Sequence, residues 1–149
     1  MSNAKMIFVN LPVADVARST AFYEAIGCTK DERFCQADTA SAMVWSDTIT
    51  FMILSRDFFK SFTPKPIADA HQTTEVLLCL SRDSREEVDA IVEAAAAAGG
   101  KADVREKQDM GFMYGRSFED PDGHIFEPMY MDVEAALAAS GEEIQEEAA

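Results

Sequence analysis

Residues 125–131, Ile-Phe-Glu-Pro-Met-Tyr-Met, form an apolar run with one carboxylate, Glu127, in its interior. A carboxylate in a buried strand must be paired, protonated or bound to a metal, so Glu127 is the first candidate for chemistry. A second apolar run, residues 74–81, carries Glu75. Two carboxylates on neighbouring strands repel, which raises one proton affinity towards neutrality and suits abstraction of a proton beside a carbonyl. His71 stands four residues before Glu75 and would share its face in an extended strand, completing the donors open to a divalent ion. The bland alternative pairs Glu127 with an arginine such as Arg116, or with backbone N–H groups. Tyr114 and Arg116 alternate on one strand face. If that face lines a cavity, they offer a hydroxyl and a guanidinium to an anionic ligand; if not, Arg116 holds the acidic turn at the surface.

These residues need strands to position them, and the pattern supplies strands twice. Residues 6–13 read as a strand. A helix capped by Asp15 follows and stops at Gly27, then a weak strand over 29–37 and a hairpin of strands 42–45 and 48–54 across Ser46-Asp47. After an interruption at 56–70, the order restarts with strand 74–81. Ser84 and Glu87 form a capping box, and Val88, Ile91, Val92 and Ala95 follow at helical spacing before Gly99-Gly100. Strands are expected over 101–106, 111–118 and 125–131, the last introduced by the turn Asp120-Pro121-Asp122-Gly123.

The fold class is therefore α+β: two βαβββ modules forming an open barrel-like sheet with a cavity between the repeats and the helices outside. One domain spans about residues 5–132. It divides into repeat one (about 5–54), a linker (about 55–73) and repeat two (about 74–131), with an acidic C-terminal tail over 133–149 whose last residues, 141–149, read as solvated or frayed. Phe58, Phe59 and Phe62 in the linker serve as a lid over the cavity, as a dimer contact or as closure of the core.

The chain carries 27 acids against 13 Lys and Arg, a net charge of −14, which excludes nucleic acid and anionic membrane surfaces as partners. Cys28, Cys35 and Cys79 show neither a disulfide framework nor zinc-ligand spacing, and point to a reducing cytoplasm. No run reaches the ~18 apolar residues of a membrane span, and no secretory signal is seen. Ser2-Asn3-Ala4 reads as a cloning remnant.

Three segments together resemble the vicinal oxygen chelate superfamily, which includes glyoxalase I, bleomycin-resistance proteins and extradiol dioxygenases. They are residues 9–15 with Ser19 and Phe22-Tyr23, the glycine-ended helix after Asp83, and Asp120-Pro121-Asp122-Gly123-His124 with Glu127. The resemblance implies paired βαβββ modules and a homodimer. It also implies metal-ligand positions at Phe8, Met52, Glu75 and Glu127. Phe8 and Met52 cannot ligate a hard divalent ion, which leaves Glu127, Glu75 and His71 as the metal set. The cofactor is unknown, with a divalent metal one option. Asn10, Phe8 and Met52, with Tyr114 and Arg116, would line the ligand cavity. The implied function is a lactoylglutathione-lyase-like lyase or isomerase of unassigned substrate with a reduced or absent metal site. The alternative is small-molecule sequestration without turnover, as in bleomycin resistance. Action on a glutathione adduct, as in genuine glyoxalase I, is not expected without the four-ligand site.

Overall fold

The computed structural model describes residues 4–148, with side chains through residue 141; Ser2 and Asn3 lie outside it, as do the side chains of the terminal acids. The first module comprises β1 (Ile7–Val13), α1 (Val16–Ala25), β2 (Thr29–Lys30), a 3-10 turn at Glu32–Phe34, β3 (Ala40–Val44) and β4 (Ile49–Ser55). Its sheet runs β1-β4-β3-β2, with β1 parallel to β4 and the other pairs antiparallel. Asp15 caps α1 by accepting from the Arg18 N–H at 3.1 Å. The chain then links through α2 (Arg56–Lys60), capped by Ser55.

The second module comprises β5 (Leu78–Ser81), α3 (Arg85–Ala97), β6 (Lys101–Ala102), β7 (Gln108–Asp109), β8 (Met113–Gly115), β9 (Phe118–Glu119) and β10 (Ile125–Met131). Its order is β6-β9-β10-β8-β7, with β5 parallel to β10. The capping box is complete: Ser84 accepts from the Glu87 N–H at 3.1 Å, and the Glu87 carboxylate accepts from the Asp83 N–H at 2.9 Å. The mixed α+β architecture of two sheet modules is thus as the sequence pattern indicates, although the strands after α3 are divided into five pieces, where three were expected.

Several elements differ from expectation. The strand expected over 74–81 begins only at Leu78, because Asp69 draws the preceding chain into a turn that accepts the N–H groups of His71, Gln72 and Thr73. The strand expected over 29–37 ends at Lys30, where Asp31 caps the 3-10 turn. The strand expected over 111–118 is broken between β8 and β9 at Arg116. Residues 133–148, expected as an acidic tail, form α4 (Val133–Ala148), whose first turn is capped by Asp132 accepting from the Ala135 N–H at 3.1 Å.

One apolar core serves both modules. Val9, Leu11, Val13, Phe51 and Ile53 face it from the first sheet, and Leu80, Phe118 and Phe126 from the second, with Phe22 and Tyr23 of α1 and Ile91 and Val92 of α3 filling the middle. Phe51 meets Phe126 edge-on with ring centroids 5.4 Å apart, and Phe126 stacks on Phe118 at 5.1 Å. Each such buried ring contributes about 1.5–3 kcal/mol.

The Asp-Pro-Asp-Gly turn locks the modules together. Asp120, 2% exposed, accepts from the Tyr23 hydroxyl at 2.7 Å and from the N–H groups of Asp122 and His124 at 2.9 Å. Asp122 accepts from the Ala14 N–H at 2.8 Å, and His124 Nε2 bonds the Pro12 carbonyl at 2.9 Å. Gly123 has φ +94°, and a methyl there would come within 2.7 Å of the His71 nitrogen and 2.8 Å of the Ala70 carbonyl carbon.

A second tie binds α3 to its sheet. Arg116, with its side chain 7% exposed, pairs with Asp103 at 2.7 and 3.0 Å, with Asp89 at 2.9 Å and with Glu93 at 3.3 Å. The Tyr114 hydroxyl donates to Asp89 at 2.7 Å. Asp89 is held below the usual carboxylate range first by Tyr114 and then by Arg116, and Asp103 by Arg116.

Two outcomes follow. Gly123→Ala should lose about 2 kcal/mol or more in urea unfolding, from the left-handed backbone and the clash with residues 70–71. The two depressed carboxyls lie below their unfolded value of about 3.9, so their contribution is complete above that pH and is lost as pH falls through the folded value. Arg116→Met should therefore destabilise by about 2 kcal/mol near neutrality, discounted because the carboxylates are partly solvated. The wild-type advantage should shrink progressively below about pH 4 in urea titrations at several pH values.

Candidate functional site

Strand alternation sends every second residue of β1 and β4 away from the core, to the face opposite α1 and α3. Phe8 and Asn10 lie on that face in β1, and Met52 in β4. The parallel register sets Asn10 beside Met52, and Phe8 beside Thr50. In the second sheet the same face carries Cys79 of β5 and Ile125, Glu127 and Met129 of β10, with Glu127 level with Cys79. Apolar side chains stand uncovered along these faces: Phe8 is 55% exposed, Met131 40%, and Leu77, just before β5, 55%.

Glu127 is the best-held charge of the open face. Arg105, from the loop between β6 and β7, donates through Nε at 3.1 Å and through Nη2 at 2.5 Å to the same carboxylate oxygen, Oε2. The carboxylate is only 18% exposed, the guanidinium 51%. The sequence reading anticipated an arginine partner but named Arg116. Arg105 was missed because a loop side chain has no periodicity to betray where it points; its one cue was a cation between strands in a strongly acidic chain.

Tyr114 and Arg116 do not face this side. Both turn towards α3 and the loop after β6, where Asp89 and Glu93 of the helix and Asp103 of the loop consume their donors, so the expectation that they line a ligand cavity is corrected to a role in helix-to-sheet packing. Glu75 is corrected likewise. It precedes β5, is exposed, and lies under the linker rather than across from Glu127. His71 is held by the Asp69 turn through its backbone N–H. The proposed set Glu127, Glu75 and His71 therefore does not assemble, and among the described residues no group of three His, Cys, Asp or Glu side chains is poised for a metal.

The donor chemistry leads to the same conclusion even when both faces are pooled. The four level positions hold one carboxylate already paired with Arg105, one amide at Asn10, the Met52 thioether and the Cys79 thiol. Partial burial, and next the charge of Glu127, push that thiol up and keep it protonated. A hard divalent ion needs several oxygen or imidazole donors, and the residues present do not fit one. Cys28, buried under α1, is pushed up to about 12 and is inert.

The linker creates a further concavity. It folds back over the end of β1 and the start of β10, leaving a cleft of about 320 Å³ whose walls include Asn10, Phe59, Lys65, Ile67, Glu75 and Ile125. Of the three linker phenylalanines, Phe59 lines this cleft, while Phe58 and Phe62 pack edge-on at 5.0 Å, with Phe62 largely exposed.

Comparison with known proteins adds the lineage of this geometry. Residues 5–34 match the family described as bleomycin resistance protein-like N-terminal. No curated protein matches the chain. Among solved structures, hypothetical protein SA1046 from S. aureus is 26% identical, with a TM-score of 0.70 over 87% of this chain and 94% of its own. A glyoxalase/bleomycin resistance protein/dioxygenase family enzyme from Burkholderia phytofirmans PsJN is 18% identical, with a TM-score of 0.69 over 86% of this chain and 99% of its own. The fosfomycin resistance protein FosX from Listeria monocytogenes is 20% identical, with a TM-score of 0.61 over 87% and 92%. The chain thus has the fold of these glyoxalase/bleomycin-resistance structures, and its residues 5–34 are similar to the bleomycin resistance protein-like N-terminal family.

Proposed function

We propose that the chain is a metal-independent small-molecule binding protein of the bleomycin-resistance type, its ligand lying against the open sheet faces. The observation that carries this reading is the Arg105–Glu127 pair. It places a fixed positive charge on the one carboxylate that a metal or a proton-transfer reaction would need. What remains around it, Met52, Cys79, Met129 and Phe8, is apolar surface with a few polar groups, which is the usual make-up of a site that holds ligands by shape. A second reading, a lyase or isomerase using Glu127 as base, has one observation in its favour: both Arg105 contacts fall on Oε2, and among the described residues Oε1 takes no hydrogen bond. Asn10, Phe8 and Met52 remain ligand-contact candidates on either reading, and Glu127 the central polar group.

The partner proposed for the uncovered faces is a second copy of the chain, forming a homodimer. Phe8, Leu77 and Met131 are the large apolar side chains that such a copy would cover. Among the described residues no helix is long and apolar enough to cross a membrane, and the three free cysteines agree with the cytoplasmic location proposed for the chain.

Calorimetric titration of chelator-treated protein with Ni, Zn and Fe(II) should show no stoichiometric binding at micromolar levels. Tight binding abolished in Glu127→Gln would sink the metal-independent reading. Sedimentation velocity should give a dimer in the micromolar range. Phe8→Asp should weaken it by about tenfold or more with unchanged circular dichroism, and a wild-type monomer at all concentrations would refute the second copy.

A further inference from the structure

The cleft under the linker shares Asn10 and Ile125 with the open faces, but its walls include none of Met52, Cys79 or Glu127, so it extends from their edge beneath the linker. At about 320 Å³ it sits at the small end of ligand sites, which run from about 300 to 1,000 Å³. That suits a ligand with one apolar group and a short polar head. Asn10, Leu11 and Pro12 of β1 form its floor, and Phe59, Ile67 and Ile125 its apolar walls.

Its roof is fixed rather than loose. The Thr63 hydroxyl accepts from the Lys65 N–H at 3.1 Å, and the Lys65 carbonyl accepts from Lys60 Nζ at 3.0 Å. Further along, the Asp69 turn presses Ala70 and His71 onto Gly123 with no room for a methyl group. A cleft held open by its own backbone binds without first having to order its walls.

The charges at the cleft are of both signs and unused. Among the lining residues, Lys65 supplies an ammonium, Glu75 a carboxylate and Asn10 an amide. None of these three side-chain groups makes a hydrogen bond or ion pair among the described residues, and Lys65 and Glu75 do not pair with each other. Elsewhere in the molecule the charges beside the core are committed: Glu127 to Arg105, Arg116 to three acids, and Asp120 to Tyr23.

We propose that this cleft binds a small apolar zwitterion of the amino-acid type, with its carboxylate towards Lys65, its ammonium towards Glu75 and its side chain against Phe59, Ile67 and Ile125. A simple anion would meet Lys65 but also Glu75 and the field of a chain with net charge −14. A simple amine would satisfy Glu75 and leave Lys65 opposed to it. A zwitterion uses both groups and crosses the negative field without net charge. The site does not use Met52, Cys79 or Glu127, and it meets the open faces only at Asn10 and Ile125.

The test uses the full chain and calorimetry with leucine and phenylalanine, against 3-phenylpropanoate and 2-phenylethylamine as analogues lacking one charge. The expected result is amino-acid binding in the sub-millimolar range, with each analogue weaker by about tenfold or more. Lys65→Gln should weaken the amino acid to the level of the amine, and Glu75→Gln to that of the acid. Both positions are exposed and outside strands, so the variants should fold, and thermal unfolding checks that they do. Amide shifts on titration should centre on the linker residues Phe59, Thr63 and Ile67, which the open faces do not share. The proposal is overturned if neither amino acid binds at millimolar concentration, if the analogues bind equally well, if both variants bind like the wild type, or if the shifts centre on Glu127.

Discussion

The two modules are joined by a carboxylate that has been taken out of water. Asp120 sits in the core, where burial pushes its carboxyl up despite His124 and the Tyr23 hydroxyl favouring the charge. Burying such a group without partners would be strongly unfavourable, so its location is tolerable only while Tyr23 and two backbone N–H groups surround it. Those donors come from α1 and from the turn itself. The arrangement therefore exists only when the first module's helix and the second module's last hairpin are correctly placed together. Tyr23 answers in kind: its phenol is pushed well up, first by burial and then by Asp120, so it remains a donor. The floor of the linker cleft, at Pro12 and His124, is a direct product of this joint.

With the modules fixed, the character of the open face turns on a substitution of one kind of cation for another. A metal ion at Glu127 would be exchangeable and would leave coordination positions free for a reacting molecule. A guanidinium is tethered, always protonated, and spends its donors in one plane. Arg105 neutralises the same carboxylate without offering an open coordination position. On either side of this pair the strand faces present Phe8, Met52 and Met129.

How much of this could be read in the chain beforehand depends on how local the cause is. The capping box at Ser84 and Glu87, the stop at Gly27 and the Asp-Pro-Asp-Gly turn rest on interactions within a few residues, and each was legible. The doubled βαβββ order followed from them. Glu127 was also legible, because one acid in an apolar strand stands out, but Arg105 was not: a loop decides its direction. Glu75 misled because residues 74–77 have strand-like composition, whereas the Asp69 turn delays pairing until Leu78. Tyr114 and Arg116 were placed correctly on a common face, yet which face it was depended on α3 supplying Asp89 and Glu93. No periodicity within β8 itself carries that information.

The parallel pairings of β1 with β4 and of β5 with β10 bear on how the chain assembles. Each module is closed by joining its first strand to its last, a contact that bridges 42 residues in the first case and 48 in the second. Loop closure of this span delays such contacts relative to helices and hairpins. During synthesis the first module has all its strands once β4 has emerged, but Tyr23 must wait for Asp120. A half-made chain thus leaves Tyr23 and Phe51 without the second module's Asp120 and Phe126 to cover them, and is the state most in need of protection from aggregation.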